Sequence, residues 1–118
     1  MPGEILLCRE SEIPSEGRSR KFVAGGRDVL LFRLNGSIRA IESICPHVWT
    51  DFEQARLNAR AGTIKCPNHG AVFDLTTGKP LCGPYGVDGD ILPNLTFFDI
   101  ILRNGDVLLI SGIPAISD

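Results

Sequence analysis

Two short motifs, Cys45-Pro46-His47 and Cys66-Pro67-Asn68-His69, each place a cysteine and a histidine within one tight turn. Two thiolates and two imidazoles are enough to close a tetrahedral zinc site or to hold an iron–sulfur cluster. The proline after each cysteine stiffens the turn, and Gly70 lets the backbone turn directly after His69, where a Cβ would clash. A shared metal centre would bring both turns together and would therefore constrain how the rest of the chain folds.

The arrangement of the four candidate ligands, Cys45, His47, Cys66 and His69, favours an iron–sulfur cluster over zinc. Structural zinc sites usually pair cysteine with cysteine and histidine with histidine, whereas each turn here carries one of each. Buried histidines without a ligand role are a weaker explanation, since both histidines of the chain follow a cysteine closely. A zinc-binding module remains open as an alternative.

The rest of the sequence predicts an all-β protein. It contains 13 glycines and 8 prolines, and no long segment keeps an apolar period of 3.6 residues. Asn35-Gly36 and Asn104-Gly105 each lie between two predicted strands and are typical of type I′ hairpin turns. One helix is predicted at Thr50–Ala59, where Thr50 to Glu53 form a capping-box pattern, with an irregular loop as the alternative. The predicted strands are Ile5–Arg9, Lys21–Ala24, Val29–Leu34, Ser37–Glu42, Thr63–Lys65, Ala71–Asp74, Leu95–Arg103 and Val107–Ser111.

The predicted organisation is one domain over residues 1–118. Residues 44–86 form a cluster-binding subdomain, inserted into a β base made of residues 1–43 and 87–118. The net charge of −2 gives no electrostatic reason to expect binding to nucleic acid or to an anionic membrane. The sequence has no run of 18 apolar residues and its first residues lack the features of a secretory signal. We therefore expect a monomeric, cytoplasmic protein without membrane contact.

The second motif continues through residues 69–81, HGAVFDLTTGKPL, and then Cys82-Gly83-Pro84. With these residues the chain resembles the Rieske-type [2Fe–2S] proteins, whose pattern is Cys-x-His, a spacer, and Cys-x-x-His-Gly. The resemblance implies an antiparallel β base with a small inserted cluster-binding subdomain. It also implies that Cys45 and Cys66 bind the inner iron of one cluster, and that His47 and His69 bind the outer iron.

Two features depart from the family pattern. The spacer from Val48 to Lys65 is 18 residues long, at the long end for the family, and Trp49 stands where a glycine is common. Both affect the shape of the first ligand loop rather than the choice of ligands. Gly83-Pro84-Tyr85-Gly86 matches the proline-containing loop that shields the cluster in the resembled proteins.

The resemblance implies a stand-alone one-electron carrier rather than an enzyme. Respiratory Rieske proteins have a membrane anchor and two additional cysteines in the ligand loops, and oxygenase large subunits have a further catalytic iron domain; we expect neither in 118 residues. The leading hypothesis is the ferredoxin of an aromatic-ring-hydroxylating dioxygenase system, passing electrons from a flavin-dependent ferredoxin reductase to a terminal oxygenase. The alternative is the small Rieske-like subunit of an assimilatory nitrite reductase.

Several residues near the ligand motifs carry further expectations. Ala71 and Phe73 stand where high-potential members have a serine and a tyrosine that donate hydrogen bonds to sulfur, so a low potential is expected. Cys8 is expected to be a buried thiol, and Cys82 either a packed thiol or a redox-sensitive neighbour of the cluster. Trp49 is expected to be a hydrophobic lid over the subdomain; the alternative is an exposed aromatic side chain in a mostly uncharged docking patch with Val48, Pro84 and Tyr85.

Overall fold

The computed structural model describes residues 4–44, 52, 55–67, 70–82 and 94–110. The regular structure of these residues is almost entirely β, with a short 3₁₀ turn at Glu10–Glu12. The strands among the described residues are β1 (Glu4–Arg9), β2 (Ser19–Ala24), β3 (Arg27–Leu34), β4 (Ser37–Glu42), β5 (Arg56–Asn58), β6 (Thr63–Lys65), β7 (Val72–Asp74), β8 (Pro80–Cys82), β9 (Ile100–Arg103) and β10 (Asp106–Ile110). The predicted all-β class is confirmed.

The strands form three antiparallel sheets. One has the order β1-β10-β9, the second β2-β3-β4, and the third β5-β6-β7-β8. The first sheet pairs the N-terminal strand with the last hairpin, so it joins the two ends of the described chain. The third sheet is a meander in which each strand pairs with the next one in sequence.

Both predicted hairpin turns are present. Asn35 and Gly36 have φ values of 52° and 81°, and Asn104 and Gly105 have φ values of 53° and 84°. Positive φ at both central residues is the requirement of a type I′ turn, which Asn-Gly meets at low cost. A third hairpin of the same kind, at Gly25-Gly26 with φ values of 59° and 78°, joins β2 to β3 and was not predicted.

Strand β3 organises the core because both of its faces are buried. Its even-numbered residues Leu30, Phe32 and Leu34 belong to an apolar cluster that extends into the third sheet through Ile64 and Phe73. Its odd-numbered residues Val29 and Leu31 belong to a second cluster shared with the first sheet. Side chains alternate between the two faces of a strand, so a continuous apolar run such as Val29–Phe32 links two cores.

The helix predicted at Thr50–Ala59 is wrong over its second half. Residues Arg56–Asn58 form strand β5, and directly before this strand the amide of Ala55 donates to the carbonyl of Phe52 at 2.9 Å. In β5, Arg56 and Asn58 are exposed while Leu57 packs against the core. This alternation has the period of a strand, and pairing with β6 satisfies the backbone. The capping-box residues other than Phe52 lie outside the described residues.

The strand predicted at Leu95–Arg103 is shorter than expected. Regular pairing begins at Ile100 and residues 95–99 cross between sheets, with an isolated bridge from Phe97 to Ile41. In this crossing the amide of Leu95 donates to the Gly78 carbonyl at 2.8 Å. Strands β5 and β8 were not predicted. Across the residues the structure describes, no helix is long and apolar enough to cross a bilayer.

Candidate metal centre

Of the four predicted ligands, the structure describes Cys66. Cys45, His47 and His69 lie outside the described residues. Cys66 directly follows β6, is only 2% exposed and has a free thiol. It belongs to the same apolar cluster as Leu30 and Phe32 of β3. In the part of the chain that is described, no three candidate metal-binding side chains gather, since only one of the four predicted ligands falls there.

The loop that begins at Cys66 is closed by its own backbone. The amide of Cys66 donates to the carbonyl of Ala71 at 2.7 Å, and the amide of Gly70 donates to the carbonyl of Cys66 at 3.2 Å. Gly70 has a φ of 79°, a left-handed conformation that residues with a Cβ adopt at a cost. Both described ends of the loop between β6 and β7 are therefore joined by hydrogen bonds, which lowers the conformational entropy that Cys66 would lose on binding a metal.

The segment containing the first motif is also closed at its base. The amide of Phe52 donates to the carbonyl of Ser43 at 3.3 Å, and the amide of Ser43 donates to the carbonyl of Asp28 at 3.0 Å. These bonds anchor both ends of the stretch that contains Cys45 and His47 to the second sheet.

The bases of the two ligand loops meet in the core. Phe52, which ends the first segment, and Phe73, in the strand after the second loop, contact each other edge to face with ring centroids 6.2 Å apart. Both side chains are fully buried, as is Ala71. The fold thus brings the bases of the two ligand-bearing segments together, which the sequence motifs alone do not show.

Cys8 lies apart from Cys66, in the other apolar group of buried residues. Burial, assisted by the nearby Glu12 carboxylate, raises the pKa of the Cys8 thiol, which lies in β1 in the cluster shared with the first sheet. A protonated thiol there is a packing group, in agreement with the prediction for Cys8. Cys82 is half-buried at the end of β8, opposite Val72 and close to the Cys66 loop.

The described residues fit a [2Fe–2S] cluster. They supply a buried thiol ligand, a tight glycine-containing loop and an apolar surrounding at Ala71 and Phe73, which protects a cluster from solvent. Neither Ala71 nor Phe73 has a side-chain donor, as the sequence indicated. The loop predicted to shield the cluster, residues 83–86, and the docking patch predicted around Trp49 and Tyr85 lie outside the described residues.

The comparisons with known proteins agree with this interpretation of the site. The Rieske [2Fe-2S] domain family matches residues 3–94. The 3-phenylpropionate/cinnamic acid dioxygenase ferredoxin subunit of Escherichia coli (strain K12) is 30% identical over 105 residues, 89% of this chain and 91% of that one. The ferredoxin component of the naphthalene 1,2-dioxygenase system of Pseudomonas putida is 29% identical over 71% of this chain and 73% of its own length.

A solved structure of the complex of reduced oxygenase and oxidized ferredoxin in carbazole 1,9a-dioxygenase contains a chain with the same fold. It superposes with a TM-score of 0.75 at 22% identity, over 97% of this chain and 97% of that one. At this identity the match concerns the fold alone.

The chain belongs to the Rieske [2Fe–2S] domain family. It carries a Rieske-type [2Fe–2S] cluster and is an electron-transfer ferredoxin of the kind found in aromatic dioxygenase systems, not the catalyst of oxygenation. The relatives support this function and not the nitrite reductase subunit. The zinc alternative is set aside with it.

The β5–β6 hairpin next to the Cys66 loop is not predicted from the sequence. The sequence does not predict the exposed pair Arg56 and Lys65 beside the Cys66 loop, because Arg56 falls within the segment predicted to be a helix or an irregular loop. The alternation Arg56-Leu57-Asn58, followed by Gly62 at a φ of 70° and the strand Thr63–Lys65, is the signal that would have revealed this hairpin.

Proposed function

We propose that Cys45 and Cys66 bind one iron of the cluster and that His47 and His69 bind the other, the division that defines Rieske centres. The buried thiol of Cys66 on its closed loop supports this assignment, and that loop also carries His69. Imidazole ligands are neutral where thiolates are charged. The bound cluster therefore carries less negative charge than an all-cysteine cluster and accepts an electron more readily.

The chain takes one electron at a time from a flavin-dependent ferredoxin reductase and passes it to a terminal aromatic-ring-hydroxylating oxygenase. The observation that carries this proposal is the buried Cys66 at the start of a closed loop, in a chain of the Rieske family. The names of the relatives support the choice of system, since both are ferredoxin parts of aromatic dioxygenases. In the solved complex, a ferredoxin of this fold accompanies its oxygenase.

The same proposal covers the organisation of the chain. Residues 44–86 form the cluster-binding subdomain, and residues 1–43 with 87–118 form the β base. The third sheet supports this division, because all its strands lie between Arg56 and Cys82. We further propose that the protein is monomeric and works in the cytoplasm, where the reductase and the oxygenase of such systems would meet it.

The test has two stages. Protein purified without oxygen from an iron-replete host is assayed for iron, sulfide and zinc, and its reduced form is examined by EPR. We expect a Rieske centre, with two irons and two sulfides per chain and a low average g value. Electron transfer is then measured from a flavin reductase through the ferredoxin to the cognate terminal oxygenase.

Two results would overturn the proposal. A colourless protein with stoichiometric zinc would restore the zinc alternative. A loaded protein that fails to reduce the oxygenase, and that co-purifies with a sirohaem subunit, would favour the nitrite reductase alternative.

A further inference from the structure

Two cations lie side by side at the edge of the third sheet that faces the Cys66 loop. The register pairs Arg56 with Lys65, Lys65 with Val72, and Val72 with Cys82, which places these four residues in one row across β5–β8. Directly paired residues of antiparallel strands project from the same face. Arg56 and Lys65 are both exposed, and Lys65 immediately precedes Cys66.

Lys65 lies against the ligand-bearing loop itself. A Cβ added to Gly70 would be 3.5 Å from Cε of Lys65, so the lysine stem runs along the loop that begins at Cys66. A shallow depression in the surface is lined by Arg56, Lys65, Cys66 and Pro67. The two charges therefore border the loop through which we propose that the cluster is held.

The Arg56–Lys65 pair lowers the stability of the sheet, so its presence calls for a role other than stabilising the fold. Like charges directly opposite each other on antiparallel strands repel, because their Cβ atoms are only about 5 Å apart. Among the described residues, no acidic side chain forms an ion pair with Arg56 or Lys65. Elsewhere in the described chain Arg9 pairs with Asp106 and Arg103 pairs with Glu4, each at 2.7 Å.

The charge of the third sheet differs from that of the rest of the protein. Residues 55–82 contain four of the 12 basic residues (Arg56, Arg60, Lys65, Lys79) and one of the 14 acidic residues (Asp74). This segment is therefore positive in a chain with a net charge of −2. Asp51 and Glu53, which precede it in sequence, lie outside the described residues. Segregated charge of this kind steers a partner of opposite sign toward one face.

We propose that Arg56 and Lys65 form a cationic docking site that receives an acidic surface of the terminal oxygenase. The inference rests on the proposed function and adds the charge of the partner surface. The oxygenase is preferred to the reductase because the comparisons include a ferredoxin of this fold in complex with an oxygenase. A basic site beside the cluster raises the rate of productive encounter with an acidic acceptor and orients it for electron transfer.

Inorganic oxidants of opposite charge test the local potential without requiring the partner. Reduced, cluster-loaded protein is mixed in a stopped-flow instrument with ferricyanide (3−) or with hexaammineruthenium(III) (3+). Each ion accepts one electron from the reduced protein, giving ferrocyanide or hexaammineruthenium(II), and the protein returns to its oxidised state. The rate constant is followed from about 0.01 M to about 1 M ionic strength, which shortens the screening length from about 30 Å to about 3 Å.

The net charge of the chain and the local charge of the proposed site predict opposite effects of salt on the reduction of ferricyanide. The net charge of the chain would repel ferricyanide, so that added salt would speed its reduction. The proposed site attracts ferricyanide, so we expect salt to slow its reduction about tenfold and to speed that of the ruthenium complex. Lys65→Glu and Arg56→Glu should each slow ferricyanide at least about fivefold at low salt and reverse its salt dependence.

Arg60→Glu is the matched control. It makes the same change in net charge and lies in the turn of the same β5–β6 hairpin, but at the end away from Cys66, about 10 Å farther along the strands. The variants are compared near 0.1 M ionic strength, where the screening length is about 10 Å. Under these conditions Arg60→Glu should change the ferricyanide rate much less than Lys65→Glu does. Lys65→Glu also places a carboxylate opposite Arg56, so the thermal midpoint of this variant should rise. A slower reaction of Lys65→Glu with ferricyanide would then not be due to loss of folding.

With the cognate oxygenase, Lys65→Glu should lower the second-order rate of electron transfer at least about fivefold, and Arg60→Glu should not. Slower reduction by the reductase, with unchanged transfer to the oxygenase, would overturn the assignment of the partner. Equal rates for all variants would refute the docking site and leave the proposed function standing. Absence of the cluster, or of any transfer by the wild type to the oxygenase, would refute the proposed function.

Discussion

Phe52 and Phe73 meet with ring planes at 71° and centroids 6.2 Å apart, and each ring stands at the base of a different ligand segment. Phe52 closes the segment containing Cys45 and His47 through its hydrogen bond to Ser43. Phe73 lies in the strand that returns from the Cys66 loop and pairs with Ile64. One aromatic contact thus couples the positions of two loops that are far apart in sequence.

Phe52→Ala should therefore damage both stability and cluster binding. Removing a fully buried phenylalanine costs about 3–5 kcal/mol of unfolding free energy, and the remaining cavity loosens both loop bases. We expect faster loss of the cluster absorbance on dilution or mild heating. Phe98→Ala is the control, since Phe98 is buried in the other apolar cluster. If both variants lose the cluster at the same rate, the effect is general destabilisation and not loop coupling.

Cys8 and Cys66 should respond differently to substitution. Cys66→Ser should abolish the cluster or leave it labile, because a buried serine hydroxyl replaces the proposed thiolate ligand. Cys8→Ser should retain two irons and two sulfides per chain. Cys8 is a protonated thiol that packs among the buried apolar side chains shared with the first sheet, away from the iron–sulfur ligands. Iron and sulfide assays with visible spectra distinguish the variants. Full cluster content in Cys66→Ser would contradict the ligand assignment.

The reduction potential should lie in the lower half of the Rieske range of about −150 to +300 mV. Hydrogen bonds to the sulfurs stabilise the reduced, more negative form, and Ala71 and Phe73 cannot donate them from their side chains. Ala71→Ser and Phe73→Tyr should each raise the potential where the new hydroxyl reaches a sulfur. Protein-film voltammetry measures the change, and a wild-type value in the upper half would refute this expectation.

Two glycines with nearly equal φ should differ in their tolerance of alanine. At Gly70 (φ 79°) an added Cβ would lie 3.5 Å from Cε of Lys65, its nearest neighbour among the described residues, so these residues show no clash of the kind expected from the sequence and Gly70→Ala should cost the backbone strain of about 1–2 kcal/mol. At Gly78 (φ 81°) the Cβ would come within 2.9 Å of the Phe97 ring and 3.3 Å of the Leu95 carbonyl. Gly78→Ala should therefore have the lower thermal midpoint; equal midpoints would contradict the steric argument.

The ion pair between Glu4 and Arg103 predicts a weak dependence of stability on acid pH. Hydrogen bonding from Arg103 lowers the pKa of the Glu4 carboxyl below its ordinary value of 4.5. The pair therefore stabilises the fold above that value, and its contribution is lost as the pH falls through the lowered pKa. Unfolding midpoints of wild type and Glu4→Gln should differ at neutral pH and converge in acid. Because the pair is exposed, the difference should also shrink at high salt.

Local sequence patterns determined the all-β class and the hairpins at Asn35-Gly36 and Asn104-Gly105. They could do so because these features depend on few neighbouring residues. Positive φ is a property of Asn-Gly itself and needs no distant contact. The family resemblance added the identity of the cluster, since spacing alone left zinc open.

Only the tertiary structure decided which segments share a sheet and a core. Arg56–Asn58 became a strand rather than a helix because β6 was available to pair with it and the apolar cluster to bury Leu57. The contact between Phe52 and Phe73, and the row that places Arg56 beside Lys65, likewise depend on strand register between separated segments. Register is set by the burial of one face against the rest of the protein, which no local window of sequence contains.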